Sequence, residues 1–383
     1  MTLPHRLSVP GLSGERFHVR YLILADGANE ARSLAEDICI EQTVEFPASK
    51  IPEGDIRDHL VGRVEQFELL QEGRFAATIS YAVESAGTDL LQLLNVILGL
   101  TSLLRGVAVD WLDLPEHLLS RFKGPRFGVG GVRDKLGVTD RPLLCTSLKP
   151  MGLSPEQLAD LAYRCTLGGL DIVKDDHAIT DLAFCPFEER VERCAEAVAR
   201  ANRETGLNCI YAVNVTAPAG VAVERARFAR RVGAGAVMIS PALTGFDLMR
   251  QLALDDEVGL PVLSHPTYGG GFLARSEASG FSHDVYYGQI PRLAGADVSI
   301  FANYGGRFPI TPADSHGAVD GCRARMGSLR PIFPMLGGGM KLDRIRALRE
   351  EFGQDSIFLV GGGLHTASDD LVANVRRFVE TVQ

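Results

Sequence analysis

A chain of 383 residues exceeds one average core and suits two domains of the usual ~100–250 residues each. With 46% hydrophobic residues, 23% charged residues and 41 glycines, it reads as a compact, turn-rich globular protein, which excludes fibrous, coiled-coil and disordered classes. A formal charge of −9 argues against a nucleic-acid partner or a membrane surface, both of which need clustered Lys and Arg, and leaves a small molecule as the expected partner.

The first eleven residues contain no apolar signal-type run. The longest apolar stretch, 90–104, is interrupted by Gln92, Asn95, Thr101 and Ser102 and falls short of the ~18 residues of a membrane span, so a cytoplasmic location is expected. The pattern then predicts a strand over 16–24, a helix over 29–43, a hairpin over 63–84 turning at Glu72-Gly73, a helix over 89–103 and a strand over 107–114. That β-α-β-β-α-β order is expected to form an N-terminal α+β, ferredoxin-like domain over 1–135, with helices on one face of an antiparallel sheet. The seven cysteines are scattered and show no C-x-x-C spacing for zinc or redox chemistry, so they read as small buried hydrophobes.

After Arg141 the rhythm changes. Eight short apolar runs, at 142–148, 170–173, 210–215, 236–239, 261–263, 298–301, 332–336 and 357–360, alternate with segments of helix length. Eight strand–helix units predict a C-terminal (β/α)8 TIM barrel over 136–383. An open doubly wound sheet competes, but no G-x-G-x-x-G follows the first run, and eight units favour closure.

In a barrel the strand ends converge on one rim, where such folds carry their chemistry. Lys149 follows the first run; Lys174, Asp175, Asp176 and His177 follow the second; Asn214 lies near the end of the third. His265 follows the fifth, Asn303 and Arg307 the sixth, and the triplets Gly337-Gly338-Gly339 and Gly361-Gly362-Gly363 the last two. Glycine triplets let backbone N–H groups approach a phosphate, although glycine also serves in ligand-free turns. Asp176 and His177 could hold a hard divalent cation such as Mg2+, with Lys174 as a further donor only if CO2 converts its amine to a carbamate. The bland reading of that run is a solvated loop. Lys149 is a candidate general base, its depressed pKa to come from apolar and cationic neighbours; an ion pair with one of the aspartates is the competing reading. Cation, base and anchored phosphate together describe enolisation.

The stretch "LLCTSLKPMGLSPEQLADLAYRCTLGGLDIVKDDHAITD" resembles the first two barrel units of the ribulose bisphosphate carboxylase large subunit, whose motifs run CTIKPKLGLS and GGLDFxKDDE. The likeness extends to "FKGPRFGVGGVRDKLG", "GGGM" and "VGGGLHT", and loosely to the N-terminal domain. It implies a homodimer with active sites shared between subunits, Lys149 as the proton-abstracting lysine and Lys174 as the lysine that becomes carbamylated. It also implies Asp176 as a Mg2+ ligand, His265 as a substrate-contacting histidine, and Gly338, Gly339, Gly361 and Gly362 as phosphate-binding backbone. Glu41 in "CIEQTVEF" and Asn95 in "LLNVILG" match the residues a partner subunit would contribute, and Arg307 stands where the family has its mobile lysine.

The departures are informative. His177 replaces the glutamate of KDDE, "KPMGLS" lacks the second lysine, Pro266 replaces an arginine that grips a second phosphate, and the histidine expected in "IFANYGGRF" is missing. The sequence is therefore identified as similar to the RuBisCO-like proteins, form IV of the family, and not to its carboxylases. One phosphate site implies a singly phosphorylated ketose or oxo-sugar acid. The KDDH variant and "IEQTVEFP" lean towards a lyase that decarboxylates or cleaves a 3-oxo-isoapionate 4-phosphate type of substrate. The alternatives are an enolase or isomerase of methylthio-pentulose phosphates, as in methionine salvage, and a non-catalytic protein that binds a phosphorylated metabolite.

Overall fold

The computed structural model describes residues 6–274, 279–340, 342–365 and 368–382. Backbone contacts divide the chain into one unit of Met1–Phe122, Gly270–Gln289 and Arg325–Leu329 and another of Lys123–Gly269, Ile290–Ala324 and Arg330–Gln383.

In the first unit, β1 (Arg16–Leu24), α1 (Ala28–Glu41), β2 (Arg63–Gln71), β3 (Arg74–Ala82), α2 (Leu90–Leu98) and β4 (Val107–Asp113) follow the expected order. β1 is central, antiparallel to both β3 and β4, and β2 pairs with β3. Phe17, Val19, Tyr21 and Ile23 are fully buried while the residues between them are partly exposed, the two-residue period of a strand with one covered face. A two-residue strand, Gly280–Phe281, extends the sheet beside β4. The helix expected over 89–103 is shorter than its apolar pattern suggests. It ends at Leu98, Gly99 donates its N–H to the Asn95 carbonyl, and Leu100–Leu103 form a tighter 3-10 turn. A Cβ at Gly99 would stand 2.5 Å from that carbonyl oxygen, so only glycine fits the break.

The second unit is a closed parallel barrel of β5 (Leu143–Leu148), β6 (Ile172–Asp175), β7 (Ile210–Asn214), β8 (Ala236–Ile239), β9 (Val262–Ser264), β10 (Val298–Ala302), β11 (Phe333–Gly337) and β12 (Ile357–Leu359). Every residue of β5 to β11 is buried except Ala302, as expected of strands covered on both faces. The helix α3 (Gly128–Leu136) precedes the barrel. Its Val132 and Leu136 cluster with Leu143, Ile172, Ile210, Ala236, Val298, Phe333 and Ile357, which lie at or near the starts of their strands, so α3 plugs the N-terminal end. The opposite, C-terminal ends are left to carry the chemistry. Outer helices α4 (Pro155–Leu167), α5 (Phe187–Thr205), α6 (Ala219–Arg231), α7 (Phe246–Leu254), α8 (Pro312–Arg323), α9 (Ile345–Phe352) and α10 (Leu371–Glu380) surround the strands. α4 and α8 both start with a reciprocal capping box, Ser154 with Gln157 and Thr311 with Asp314, followed by a proline that needs no N–H partner. Among the described residues, no helix is long and apolar enough to cross a membrane.

Asp297 ties the plug to the strands. Its Oδ1 accepts the Phe127 and Gly128 N–H groups at 2.7 and 2.8 Å, and its Oδ2 accepts the Val262 N–H at 3.0 Å. Burial pushes its carboxyl from an ordinary 3.8 up to about 6, against the pull of those three donors. Because the folded-state value is the higher one, the folded protein retains a proton between the two values that the unfolded chain has lost. The group's contribution to stability is therefore largest below the ordinary value and declines by about 3 kcal/mol as pH rises through the folded one. Asp297→Asn does not titrate. Urea titrations between about pH 4 and pH 7 are expected to show wild type losing its advantage over this variant as pH rises. An advantage that grows with pH would mean that the N–H bonds, rather than burial, control the carboxyl.

Candidate active site

The residues at the ends of β5, β6, β7 and β9 meet through direct side-chain contacts. Lys149, one residue beyond β5, places Nζ 2.8 Å from Asp176 Oδ2, with its side chain 39% exposed. The ion pair with an aspartate, set beside the base reading in the sequence, is the arrangement formed. Asp176 Oδ1 lies 3.2 Å from His177 Nδ1 and accepts the Ala178 N–H. His177 stacks on His265, ring centroids 4.8 Å apart and 15° from parallel. Lys174, Asp176, His177, Lys149 and His265 therefore form one constellation, and the KDDH run is not a solvated turn. Lys174 is 1% and Asp176 7% exposed.

Strand alternation decides what each member of that run does. Ile172 lies in the barrel's interior cluster, which puts Lys174 on the same inward side and Asp175 on the opposite side, towards the helices. There Asp175 Oδ1 accepts the Tyr211 hydroxyl at 2.6 Å and Oδ2 accepts the Asn214 N–H at 3.0 Å, with Arg190 Nε at 3.4 Å. Arg190 is wholly buried on α5, with its guanidinium over the Phe187 ring. Asn214 also donates from Nδ2 to the His177 and Ile179 carbonyls at 3.0 and 3.1 Å, which pins the loop after β6 to β7. The sequence reading gave no role to Tyr211 or Arg190. Alternation was the available signal: Ile210 and Ala212 face the interior, so Tyr211 had to face α5.

The electrostatics follow from burial. Desolvation lowers the Lys174 pKa, with Cys145 and the neighbouring aspartates opposing and Lys149 assisting. Lys174 Nζ donates to the Asp175 carbonyl at 3.0 Å, and no described carboxylate stands within ion-pair distance of it. Burial also lowers the pKa of His177, where Lys174, Lys149 and Arg307 add to the effect and Asp176 opposes it. His265 is pushed well below its ordinary value by burial, then by Lys174, His177 and Lys149, so it is a neutral imidazole. Its Nδ1 lies 3.2 Å from the Thr267 N–H, which can only donate, so the ring proton sits on Nε2. Asp176 stays ionised: hydrogen bonds from Lys149 and Ala178 outweigh its burial and lower its pKa.

Among the described residues the carboxylate and imidazole groups that converge at this rim are Asp176, His177 and His265, and both Asp176 oxygens are already engaged. Among the described residues no three His, Cys, Asp or Glu side chains converge as a preformed metal site. A hard cation would fit this set better if Lys174 supplied oxygens as a carbamate, and burial shifts the Lys174 amine in the direction of the neutral form.

The glycines divide into two kinds. Gly338 and Gly339 have φ of +88° and +101°, and a Cβ on Gly339 would meet the Arg307 backbone nitrogen at 3.1 Å, so the backbone itself requires glycine there. Gly361 and Gly362 have neither a positive φ nor any atom within 4 Å of a built Cβ. The chain leaves open space above them. Glu41, the last residue of α1, and Asn95, in α2, are exposed and line a cavity of about 500 Å3 within the first unit, together with Gln42, Glu45, Glu84 and Gln92. The Asn95 carbonyl accepts from Gln42 Nε2 at 3.0 Å.

A closed barrel with a lysine, an aspartate and two imidazoles on the ends of its first, second and fifth strands defines the class. Residues 128–307 match the family model of the ribulose bisphosphate carboxylase large chain, catalytic domain. The chain is 38% identical to ribulose bisphosphate carboxylase-like protein 1 of Rhodopseudomonas palustris, over 96% of this chain and 98% of the relative. It is 35% identical to a 5-methylthioribulose-1-phosphate isomerase of Rhodospirillum rubrum, over 96% of both chains. Among solved structures, a RuBisCO-like protein from Rhodopseudomonas palustris superimposes with a TM-score of 0.86 and 34% identity, covering 96% of this chain and 97% of that one. The chain belongs to the ribulose bisphosphate carboxylase large-chain family, among its RuBisCO-like members rather than its carboxylases.

Proposed function

We propose that the protein is an enolising isomerase of a singly phosphorylated ketose of the methylthio-pentulose type. The observation that carries the reading is the convergence of Lys149, Asp176 and the stacked His177–His265 pair on one barrel rim. Isomerising a ketose requires one C–H proton to be removed beside the carbonyl and one to be returned at a neighbouring carbon, with no net oxidation. Lys149 is the group for removal and His265 Nε2–H the nearby donor. The 35% identity to a 5-methylthioribulose-1-phosphate isomerase supports this reading over the decarboxylation or C–C cleavage towards which the sequence leaned. It also supports an enzyme over a silent binder.

Mg2+ held by Asp176, His177 and a carbamate on Lys174 would supply charge stabilisation for the enolate oxygen. With Asp176 committed to that cation, Lys149 would be released from its ion pair and free to reach the substrate C–H. Backbone N–H groups of Gly338, Gly339, Gly361 and Gly362, with the Arg307 guanidinium, are proposed to hold the single phosphate. A second phosphate would lack a cation at residue 266, which is proline. The family likeness supports a homodimer in which the partner subunit's Glu41 and the partner subunit's Asn95 complete each site.

In D2O with Mg2+ and bicarbonate, 5-methylthioribulose 1-phosphate is expected to incorporate deuterium and convert to an isomer, followed by NMR. Absence of both exchange and isomer, with CO2 released from a 3-oxo-sugar-acid phosphate instead, would return the assignment to the lyase.

A further inference from the structure

We infer that Tyr304 is a positioning residue that fixes Arg307, so the loop after β10 works as a fixed wall of the site. This rests on the reading above, in which Arg307 holds phosphate. The sequence "ANYGGRF" gives no hint of anchoring, since a Gly-Gly step usually reads as a flexible turn. The contacts say otherwise. The Tyr304 hydroxyl donates to Glu351 Oε2 at 2.5 Å, and Glu351 Oε1 lies 2.8 Å from His316 Nε2. Arg344 donates to the Tyr304 carbonyl at 3.0 Å and lies 4.9 Å from the centre of its ring. The Tyr304 N–H donates to Ser315 Oγ at 3.0 Å, and both Tyr304 and His316 pack on Phe352. One aromatic residue is thus bonded to α8, to α9 and to the turn before α9.

The other side of the loop is equally constrained. Arg307 donates its N–H to the Gly338 carbonyl at 2.9 Å, and Asn303 donates to that of Gly337 at 3.0 Å. Gly305 has φ of +69°, a Cβ there would fall on the Arg344 guanidinium, and a Cβ on Gly306 would fall on the Gly338 carbonyl oxygen. The two glycines therefore serve close approach between the loops after β10 and β11, which places Arg307 against the proposed phosphate backbone. A loop held from both sides presents its cation in one place and loses little entropy when an anion binds.

The test uses Tyr304→Phe, Glu351→Leu, Glu351→Gln and Arg307→Met in the full chain. Hydrogen exchange of the peptide spanning 303–310 is expected to be slow in wild type and about tenfold faster in Tyr304→Phe and Glu351→Leu, with the barrel strands unchanged. Glu351→Gln, which still accepts from tyrosine and donates to His316, restores protection. With 5-methylthioribulose 1-phosphate, Tyr304→Phe raises KM about tenfold with little change in kcat, and adds nothing in an Arg307→Met background. Wild-type exchange in Tyr304→Phe overturns the anchoring, and faster exchange with an unchanged KM overturns its role in holding the phosphate. If wild type does not act on that substrate, the functional reading has failed on its own. Binding of inorganic phosphate by calorimetry then decides this inference: weaker in Tyr304→Phe supports it, equal overturns it.

Discussion

Lys149→Ala is expected to reduce solvent-deuterium exchange into the bound ketose phosphate by about 10²–10⁴-fold while the protein stays folded. The side chain is 39% exposed and its contact with Asp176 is half open to water, so its contribution to stability is small, about 0–1 kcal/mol. Lys149→Arg separates the two roles available to this residue. Arginine keeps a positive charge within reach of Asp176 but does not deprotonate, so a structural ion pair predicts near-normal exchange and a base predicts loss as deep as in the alanine variant. Exchange that survives in Lys149→Arg would move the base elsewhere on the rim. Substrate retention, measured as protection from urea unfolding, should persist in both variants because the proposed phosphate contacts do not involve Lys149.

Much of this site was legible in the sequence because the barrel converts chain order into position. Once eight buried runs were read as eight parallel strands, Lys149, Lys174, Asp176, His177 and His265 had to share a rim, and their contacts bear that out. The same logic did not reach Asp297, Tyr211, Arg190 or Tyr304. Asp297 precedes a strand start and ties β9 and β10 to α3, a partnership set by tertiary packing. Tyr211 and Arg190 meet through Asp175, 36 and 15 residues away along the chain, on the outer face of the strands. Tyr304 lies in a Gly-rich segment, where local rules predict freedom and only the contacts to Glu351 and Arg344 reveal restraint. The break of α2 at Gly99 has the same origin. Its apolar periodicity runs through the glycine, and the close approach to the Asn95 carbonyl is invisible to periodicity.

The binding of CO2 and Mg2+ is expected to be mutually dependent, and Lys174 is the reason. An amine that is 1% exposed and has no carboxylate at ion-pair distance is held away from its charged form by desolvation. When such an amine reacts with CO2, an N–C bond forms, one proton leaves, and a neutral buried group becomes an anion. That anion is as costly to bury alone as the ammonium was, unless a cation stands against it. Without the carbamate, the carboxylate and imidazole groups that converge among the described residues would offer the cation Asp176 and imidazole nitrogens, a donor set poor in charged oxygens for Mg2+. On the proposed reading, each partner would therefore raise the affinity for the other by the same factor. Mg2+ should raise the melting temperature more with bicarbonate present than in CO2-free buffer, and 13C-bicarbonate should give a carbamate resonance that strengthens with Mg2+. Lys174→Met replaces the buried amine by a side chain of similar length that needs no partner, so without Mg2+ it should be at least as stable as wild type. It should lose the resonance, the bicarbonate effect and roughly 10²–10³ of kcat. A Lys174→Met protein that keeps its activity and its Mg2+ response would show the lysine to be a buried structural amine, and the cation to be held by Asp176 and His177 alone.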